Sequence, residues 1–111
     1  MRRPRLVLPM FVALLIAACG VAVPPDKMAY VGEWRAEGMS LLITRDGSVV
    51  YHRLRKGAKT SMDAPLKGFQ GDDFEVGIGP MSTVFKVSAP PREVDGRWLM
   101  TVDGVELTRV N

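Results

Sequence analysis

The sequence has few of the residue types on which most catalytic and metal sites depend. Its 111 residues include one cysteine, Cys19, and one histidine, His52. A single cysteine and a single histidine exclude an intramolecular disulfide and a Cys/His metal cluster. No spacing of Ser, His and Asp indicates a catalytic triad, and no glycine-rich loop leads into a helix with a Lys-Ser/Thr pair. We therefore predict a protein that is not an enzyme and that holds neither a metal nor another cofactor.

A hydrophobic run long enough to cross a membrane as a helix is also missing. The most apolar stretch, residues 6–18, has 13 residues, whereas a spanning helix needs about 20. Three arginines lie among the first five residues, and Ala17-Ala18 end the stretch. A cationic start, a short apolar run and small residues before a cut are the three parts of an export signal. We predict a signal peptide over residues 1–18.

The sequence beyond this segment has no excess of either charge. The whole chain has 15 Lys and Arg against 12 Asp and Glu and a pI near 9.4, which would ordinarily suggest an anionic partner. Three of the basic residues fall in the predicted signal peptide, so that 12 basic and 12 acidic residues remain. We therefore expect no nucleic-acid partner.

The one cysteine has a position that explains its presence. Ile16-Ala17-Ala18-Cys19 resembles the bacterial lipobox, in which an aliphatic residue and two small residues precede a cysteine that is acylated. The resemblance implies that Cys19 carries lipid such as palmitate and anchors the chain to a membrane, since two or more acyl chains hold a protein stably. Gly20, by resemblance to Gram-negative sorting signals, favours the outer membrane, facing the periplasm. The alternative is an ordinary secretory signal that contains a cysteine.

The chain after Cys19 divides into two parts. Residues 19–27 include Pro24-Pro25 and lack apolar periodicity, which predicts a lipidated cysteine followed by a short, stiff tether. From Met28 to residue 111, short apolar or period-2 runs bounded by Gly, Asp and Pro recur, and no window has the apolar face of a helix. We predict one all-β domain over residues 28–111.

Turn signals divide this domain into short strands. Asp46-Gly47 and Asp103-Gly104 are typical of hairpin turns, Gly71-Asp72-Asp73 is a third turn signal, and Pro90-Pro91 is expected to end the strand before it. Seven to eight short strands suit a small antiparallel β-barrel or sandwich, in which closure removes exposed edges. The expected strands cover residues 30–36, 41–44, 49–53, 66–70, 74–78, 83–88, 98–102 and 105–110.

Two resemblances refine this interpretation. Gly32-Glu33-Trp34 resembles the Gly-x-Trp signature of lipocalin-like barrels, and Arg109 falls in the last strand, where such barrels often place an arginine over that tryptophan. The resemblance implies a lipocalin-like meander closed by a guanidinium stacked on the Trp34 indole. Residues 71–79 and 98–107 resemble small uncharacterised bacterial lipoproteins. That likeness supports a lipid-anchored envelope protein and implies no activity.

One basic cluster remains in the mature chain, and it comprises Arg53, Arg55, Lys56 and Lys59. Each cation near an anionic membrane surface is worth roughly 1 kcal/mol, which makes the cluster a candidate contact for anionic headgroups or lipopolysaccharide phosphates. The alternative is a mobile, solvated loop.

The aromatic residues leave two functions open. They either line a cavity for a small apolar ligand or fill the barrel interior with side chains. A cavity favours a carrier or sensor of such a ligand, whereas a filled core with an exposed apolar patch favours an interaction module that docks on another envelope protein. The residues concerned are Trp34, Phe69, Phe74, Phe85 and Trp98, together with several of the methionines.

Overall fold

A computed structural model describes residues 20–110 and confirms the all-β antiparallel architecture. The predicted signal peptide and Cys19 lie outside the described residues. One sheet, with strand order β6-β5-β4-β3-β2-β1-β9-β8-β7, curls into a half-barrel. A short 3-10 helix, η1 (Pro25–Tyr30), precedes the strands β1 (Gly32–Ala36), β2 (Met39–Ile43), β3 (Ser48–Arg55), β4 (Ala58–Gln70), β5 (Asp73–Ile78), β6 (Met81–Phe85), β7 (Val87–Val94), β8 (Arg97–Val102) and β9 (Val105–Arg109).

The predicted hairpins form at the three turn signals. Ile43 pairs with Val49 across the β2–β3 turn, and Val102 pairs with Val105 across the β8–β9 turn. In the first turn the Thr44 Oγ1 accepts a hydrogen bond from the Ser48 N–H at 2.9 Å. Asp-Gly turns therefore set the register of both hairpins.

The described residues form nine strands, whereas the sequence predicts seven or eight. β7 is one strand that the prediction does not include as a separate element. The prediction that Pro90-Pro91 ends a strand is wrong, because β7 runs through both prolines. β7 is an edge strand that pairs only with β8, and the register shifts between Ala89 and Arg92. Prolines are tolerated at such a place because no partner strand needs their missing N–H groups.

The two edge strands of the sheet are consecutive in the chain. Lys86 alone separates β6 from β7. The Lys86 carbonyl accepts from the Asp103 N–H at 2.7 Å, and the Lys86 N–H donates to the Asp103 carboxylate at 3.0 Å. The next N–H, of Val87, donates to the Asp73 carboxylate at 2.8 Å. The chain itself thus joins the two edges of the half-barrel, and two aspartates fix the junction.

The N-terminal residues of the described chain pack against the sheet. The Val21 N–H donates to the Leu66 carbonyl and the Val23 N–H to the Arg45 carbonyl, both at 3.0 Å. Val23 is buried, and Pro25 begins η1, where a proline is well placed because the first helical N–H has no helical partner. Residues expected to form a tether therefore contribute to the core, and packing begins N-terminal to Met28.

Candidate functional site

The described strands define two ends of the half-barrel. We call the end with η1 and the β2–β3 and β4–β5 turns the closed end, and the end with the β1–β2, β3–β4 and β5–β6 turns the open end. β3 runs from the closed end to the open end through eight residues. At about 3.3 Å per residue, the two ends lie roughly 25 Å apart.

The structure brings Trp34 and Arg109 together at the closed end. They are direct partners across the β1–β9 pairing, and the Arg109 guanidinium carbon lies 5.7 Å from the centre of the Trp34 ring. Trp34 is fully buried, and Arg109 is half-buried. The same guanidinium lies 5.0 Å from the Trp98 ring, so that Arg109 contacts two indoles where the sequence suggested one.

The glycine of Gly32-Glu33-Trp34 has a steric role at this contact. Gly32 has a φ of +142°, and a Cβ added there would lie 2.7 Å from the Cδ of Arg109. Because glycine has no Cβ, the aliphatic stem of Arg109 can pass over the backbone at this point. Gly32 thus lets the guanidinium reach the Trp34 ring.

Tyr30 completes the closed end. Its hydroxyl donates to the Asp72 carbonyl at 2.8 Å, and its own carbonyl accepts from the Trp34 Nε1 at 2.9 Å. Its ring meets Phe69 edge to face at 5.0 Å. Burial first, and then the charges of Asp72 and Asp73, raise the pKa of Tyr30 to about 12. The phenol is therefore neutral at physiological pH and links η1 to the β4–β5 turn.

Aromatic side chains fill the interior next to the closed end. Phe74 and Phe85 stack at 5.0 Å, and Tyr51 meets Phe85 edge to face at the same distance. Phe74 and Phe85 are at most 1 % exposed. These aromatic residues therefore pack against one another in the interior of the half-barrel.

The open end has a different lining. A groove of about 570 Å³ runs between β4 and the β5–β6 hairpin, and its wall includes Met62, Ala64 and Val76. Ile78 and Met81, which flank the β5–β6 turn, are 68 % and 75 % exposed and line the same groove. β5 pairs with β4 only from Leu66 onward, so that the groove lies where the two strands separate.

The four residues of the basic cluster lie in a hairpin at the open end and not in a loop. Arg53 and Arg55 belong to β3, Lys56 lies in the turn, and Lys59 belongs to β4 opposite Leu54. Side chains alternate between the faces of a strand, which places Arg53 and Arg55 on the inner face with the buried Tyr51, and Lys59 on the outer face. The structure therefore does not bring the four cations to one surface.

His52 lies on the outer face of β3. It is exposed, and its Nδ1 lies 3.1 Å from the Ser61 Oγ. Both residues line a surface groove of about 640 Å³ together with Arg35. In residues 20–110 no carboxylate makes a hydrogen bond to His52, and no cluster of three or more His, Cys, Asp or Glu is placed to hold a metal ion. The His52–Ser61 pair therefore lacks the third member that a triad requires.

Comparison with known proteins gives no external assignment for these features. No protein-family model, curated protein or solved structure matches the chain. Among the described residues, no helix combines the length and the apolar character that a membrane span requires.

Sequence reasoning missed three parts of the two ends. It did not assign a role to Tyr30, did not place Trp98 beside Arg109, and did not find Ile78 and Met81. The sequence does contain a usable signal for Ile78 and Met81, because these two residues flank Gly79-Pro80. Large apolar residues on either side of a tight turn are exposed unless another element covers them.

Proposed function

We propose that this chain is a lipid-anchored protein of the bacterial cell envelope, in the outer membrane and facing the periplasm, and that it acts as a non-catalytic interaction module. Its open end docks on another envelope protein. The observation that carries this proposal is the pair of exposed apolar side chains, Ile78 and Met81, beside an apolar groove. Large apolar side chains that remain in water at the rim of a groove are typical of docking surfaces.

The position of the chain entry supports an outward-facing open end. Gly20 follows the predicted lipid-bearing Cys19 directly and lies against Gly47 and Leu66 at the closed end. A lipid on Cys19 would hold the closed end near the headgroups and direct the open end away from them by roughly 25 Å. The β3–β4 hairpin, which carries the basic cluster, would then face a partner and not the lipids of the same membrane.

The closed end supports a lipocalin-like relationship. Gly32, Trp34 and Arg109 have the arrangement that the Gly-x-Trp resemblance implies, with the guanidinium over the indole. We propose a reduced version of that barrel, whose interior is occupied by its own side chains.

A second candidate function is the transport or sensing of a small apolar ligand. The groove of about 570 Å³ at the open end falls within the range of about 300 to 1,000 Å³ that is typical of small-molecule sites. Its lining by Met62, Ala64 and Met81 suits an apolar ligand.

Metabolic labelling tests the anchor. Cys19→Ser should abolish the incorporation of labelled palmitate and leave the precursor uncleaved, because the acylated thiol is lost. The wild-type chain is the control, since it has no other cysteine. Normal labelling of the variant would contradict the lipid anchor.

Energy transfer to acceptors in lipid headgroups tests the orientation. In the lipidated protein on vesicles, donors are attached to Asp46→Cys at the closed end or to Lys56→Cys at the open end. We expect strong transfer from position 46 and weak transfer from position 56, because the two turns lie roughly 25 Å apart. Stronger transfer from position 56 would contradict the proposed orientation.

Photo-crosslinking in intact cells separates docking from ligand transport. A photoreactive residue in place of Met81 should give a discrete adduct with a protein other than a second copy of this chain, and the same residue in place of Asp95, in the β7–β8 turn, should give none. If position 81 gives no adduct and the purified protein binds an apolar fluorescent probe saturably, with loss of binding in Met81→Asp, ligand transport replaces docking.

A further inference from the structure

The first half of β4 has a free edge. Residues 58–65 pair with β3 on one side, whereas β5 pairs with β4 only from Leu66 onward. Within residues 20–110, no strand pairs with the other side of residues 58–64. An edge of this kind presents backbone donors and acceptors in a row and is a template for another strand.

The β3–β4 register identifies the groups on this edge. Arg55 and Ala58 flank the two-residue turn Lys56-Gly57 and therefore form a hydrogen-bonded pair. Bonding alternates along an antiparallel pair, so that Lys59, Ser61 and Asp63 direct their N–H and C=O groups away from β3. Leu66 lies eight residues after Ala58, so its N–H should also point to the β3 side. It does so, since it donates to the Gly47 carbonyl at 2.7 Å.

The backbone of Pro65 faces the same side of β4 as that of Lys59, Ser61 and Asp63, because these positions are separated by even numbers of residues. Its missing N–H would have pointed to the free edge, and β5 begins to pair one residue later. The edge therefore consists of three residues that can both donate and accept, and it ends at a proline.

These three residues are self-complementary, and we propose that the β4 edge pairs antiparallel with the β4 edge of a second copy of this chain. The two-fold axis passes beside Ser61, which faces Ser61 of the second copy. Lys59 then faces Asp63 of the second copy, and Asp63 faces Lys59. Lys59, Ser61 and Asp63 are exposed on the outer face, and opposite charges at facing positions stabilise such a pairing.

The inner face accommodates the same register. Thr60 faces Met62 of the second copy, and Ala58 faces Ala64. Met62 and Ala64 line the apolar groove at the open end. The side chains of the second copy that face Met62 and Ala64 are therefore Thr60 and Ala58, both of which are small.

The other free edges of the sheet do not offer this match. β7 contains Pro90 and Pro91, and prolines blunt an edge. β6 has no charged residue between Met81 and Phe85, so that nothing on it selects a register. Among residues 20–110, the β4 edge is the one whose charges select a single alignment.

Disulfide trapping in the full-length chain tests the proposal. In a hydrogen-bonded antiparallel pair the facing Cα atoms lie about 5.5 Å apart, within the range that a disulfide spans. Ser61→Cys should therefore give a disulfide-linked dimer on a non-reducing gel after mild oxidation of membranes. Lys59→Cys and Asp63→Cys should give none when expressed separately and a mixed dimer when expressed together.

Two controls make the result specific. The wild-type chain reports any link through Cys19, and Ser82→Cys places a thiol on the free edge of β6. Absence of a link at position 61, or equal linking at positions 59, 61 and 82, would overturn the proposal. These substitutions lie at exposed positions, where the fold tolerates them.

Charge reversal tests the register independently. In the Ser61→Cys background, Asp63→Lys should slow linking about tenfold or more because lysine then faces lysine. Adding Lys59→Asp should restore linking, and a double variant that stays slow would contradict the register. Cys19→Ser combined with Ser61→Cys should link at position 61 as before, so that failure of the lipid anchor and failure of the pairing are distinguishable.

Discussion

The closed end and the open end of the half-barrel are formed by the same strands but differ in what covers their side chains. At the closed end, η1 places Tyr30 over the core, and Trp34 lies fully buried beneath Arg109. At the open end no described element covers Ile78 or Met81. A small domain with a modest core depends on its best-packed region for stability. We therefore expect stability to come mainly from the closed end and binding from the open end.

The largest expected effect at the closed end is that of Trp34→Ala. Removing a fully buried indole should lower the free energy of unfolding by about 3 to 5 kcal/mol, which comes close to unfolding a domain of this size. Urea denaturation of the purified protein measures it. A loss below about 1 kcal/mol would mean that the closed end does not carry the stability.

High pH should weaken the closed end through Tyr30. The pKa of Tyr30 is raised to about 12 in the folded protein and is about 10 in an unfolded chain. The unfolded state therefore releases the proton first, and stability that is complete below pH 10 falls by about 1.4 kcal/mol per pH unit as the pH rises toward 12. Tyr30→Phe is the control. The difference in the free energy of unfolding between wild type and this variant should narrow as the pH rises from 10 toward 12.

Arg109→Ala should have a smaller effect than Trp34→Ala. A partly buried cation over an aromatic ring is worth roughly 0.5 to 2 kcal/mol, and Arg109 also donates to the Ala29 carbonyl at 3.4 Å. A double-mutant cycle with Trp34→Ala should show coupling. Additivity within about 0.3 to 0.5 kcal/mol would mean that the two side chains do not interact.

The smallest effect is expected at the open end. Ile78→Ser and Met81→Ser should each change the free energy of unfolding by less than about 0.5 kcal/mol, because both side chains are mostly exposed and exposed substitutions usually have little effect. Val76→Ser, on the same strand as Ile78 but fully buried, is the matched control and should be clearly destabilising. Equal losses at Ile78 and Val76 would mean that Ile78, despite its exposure, contributes to packing at the open end.

Local signals in the sequence predicted much of the fold. Asp46-Gly47 and Asp103-Gly104 each determine a hairpin from a few adjacent residues, and period-2 runs identify their strands. The Trp34–Arg109 contact was reached through a resemblance and not through periodicity, because nothing local relates residues in the first and last strands.

The differences have a common physical origin. Pro90 and Pro91 end a strand only where a neighbour needs their N–H groups, and the sequence does not reveal that β7 is an edge. Likewise, Val21 and Val23 pack because Leu66 and Arg45 offer carbonyls beside them. Both outcomes depend on which strands are neighbours in space, as does the groove at Ile78 and Met81.

The pairing of β1 with β9 also determines the order in which this chain can fold. Every other pairing in the described sheet joins strands that are consecutive in the chain, so that those hairpins can form as soon as their own residues are available. The β1–β9 pairing must close a loop that contains nearly the whole domain, which makes it the slow, non-local step. A chain that emerges from its N-terminus first thus leaves Trp34 without its contact to Arg109 until the last strand has followed, and that strand sets the moment at which the core is complete.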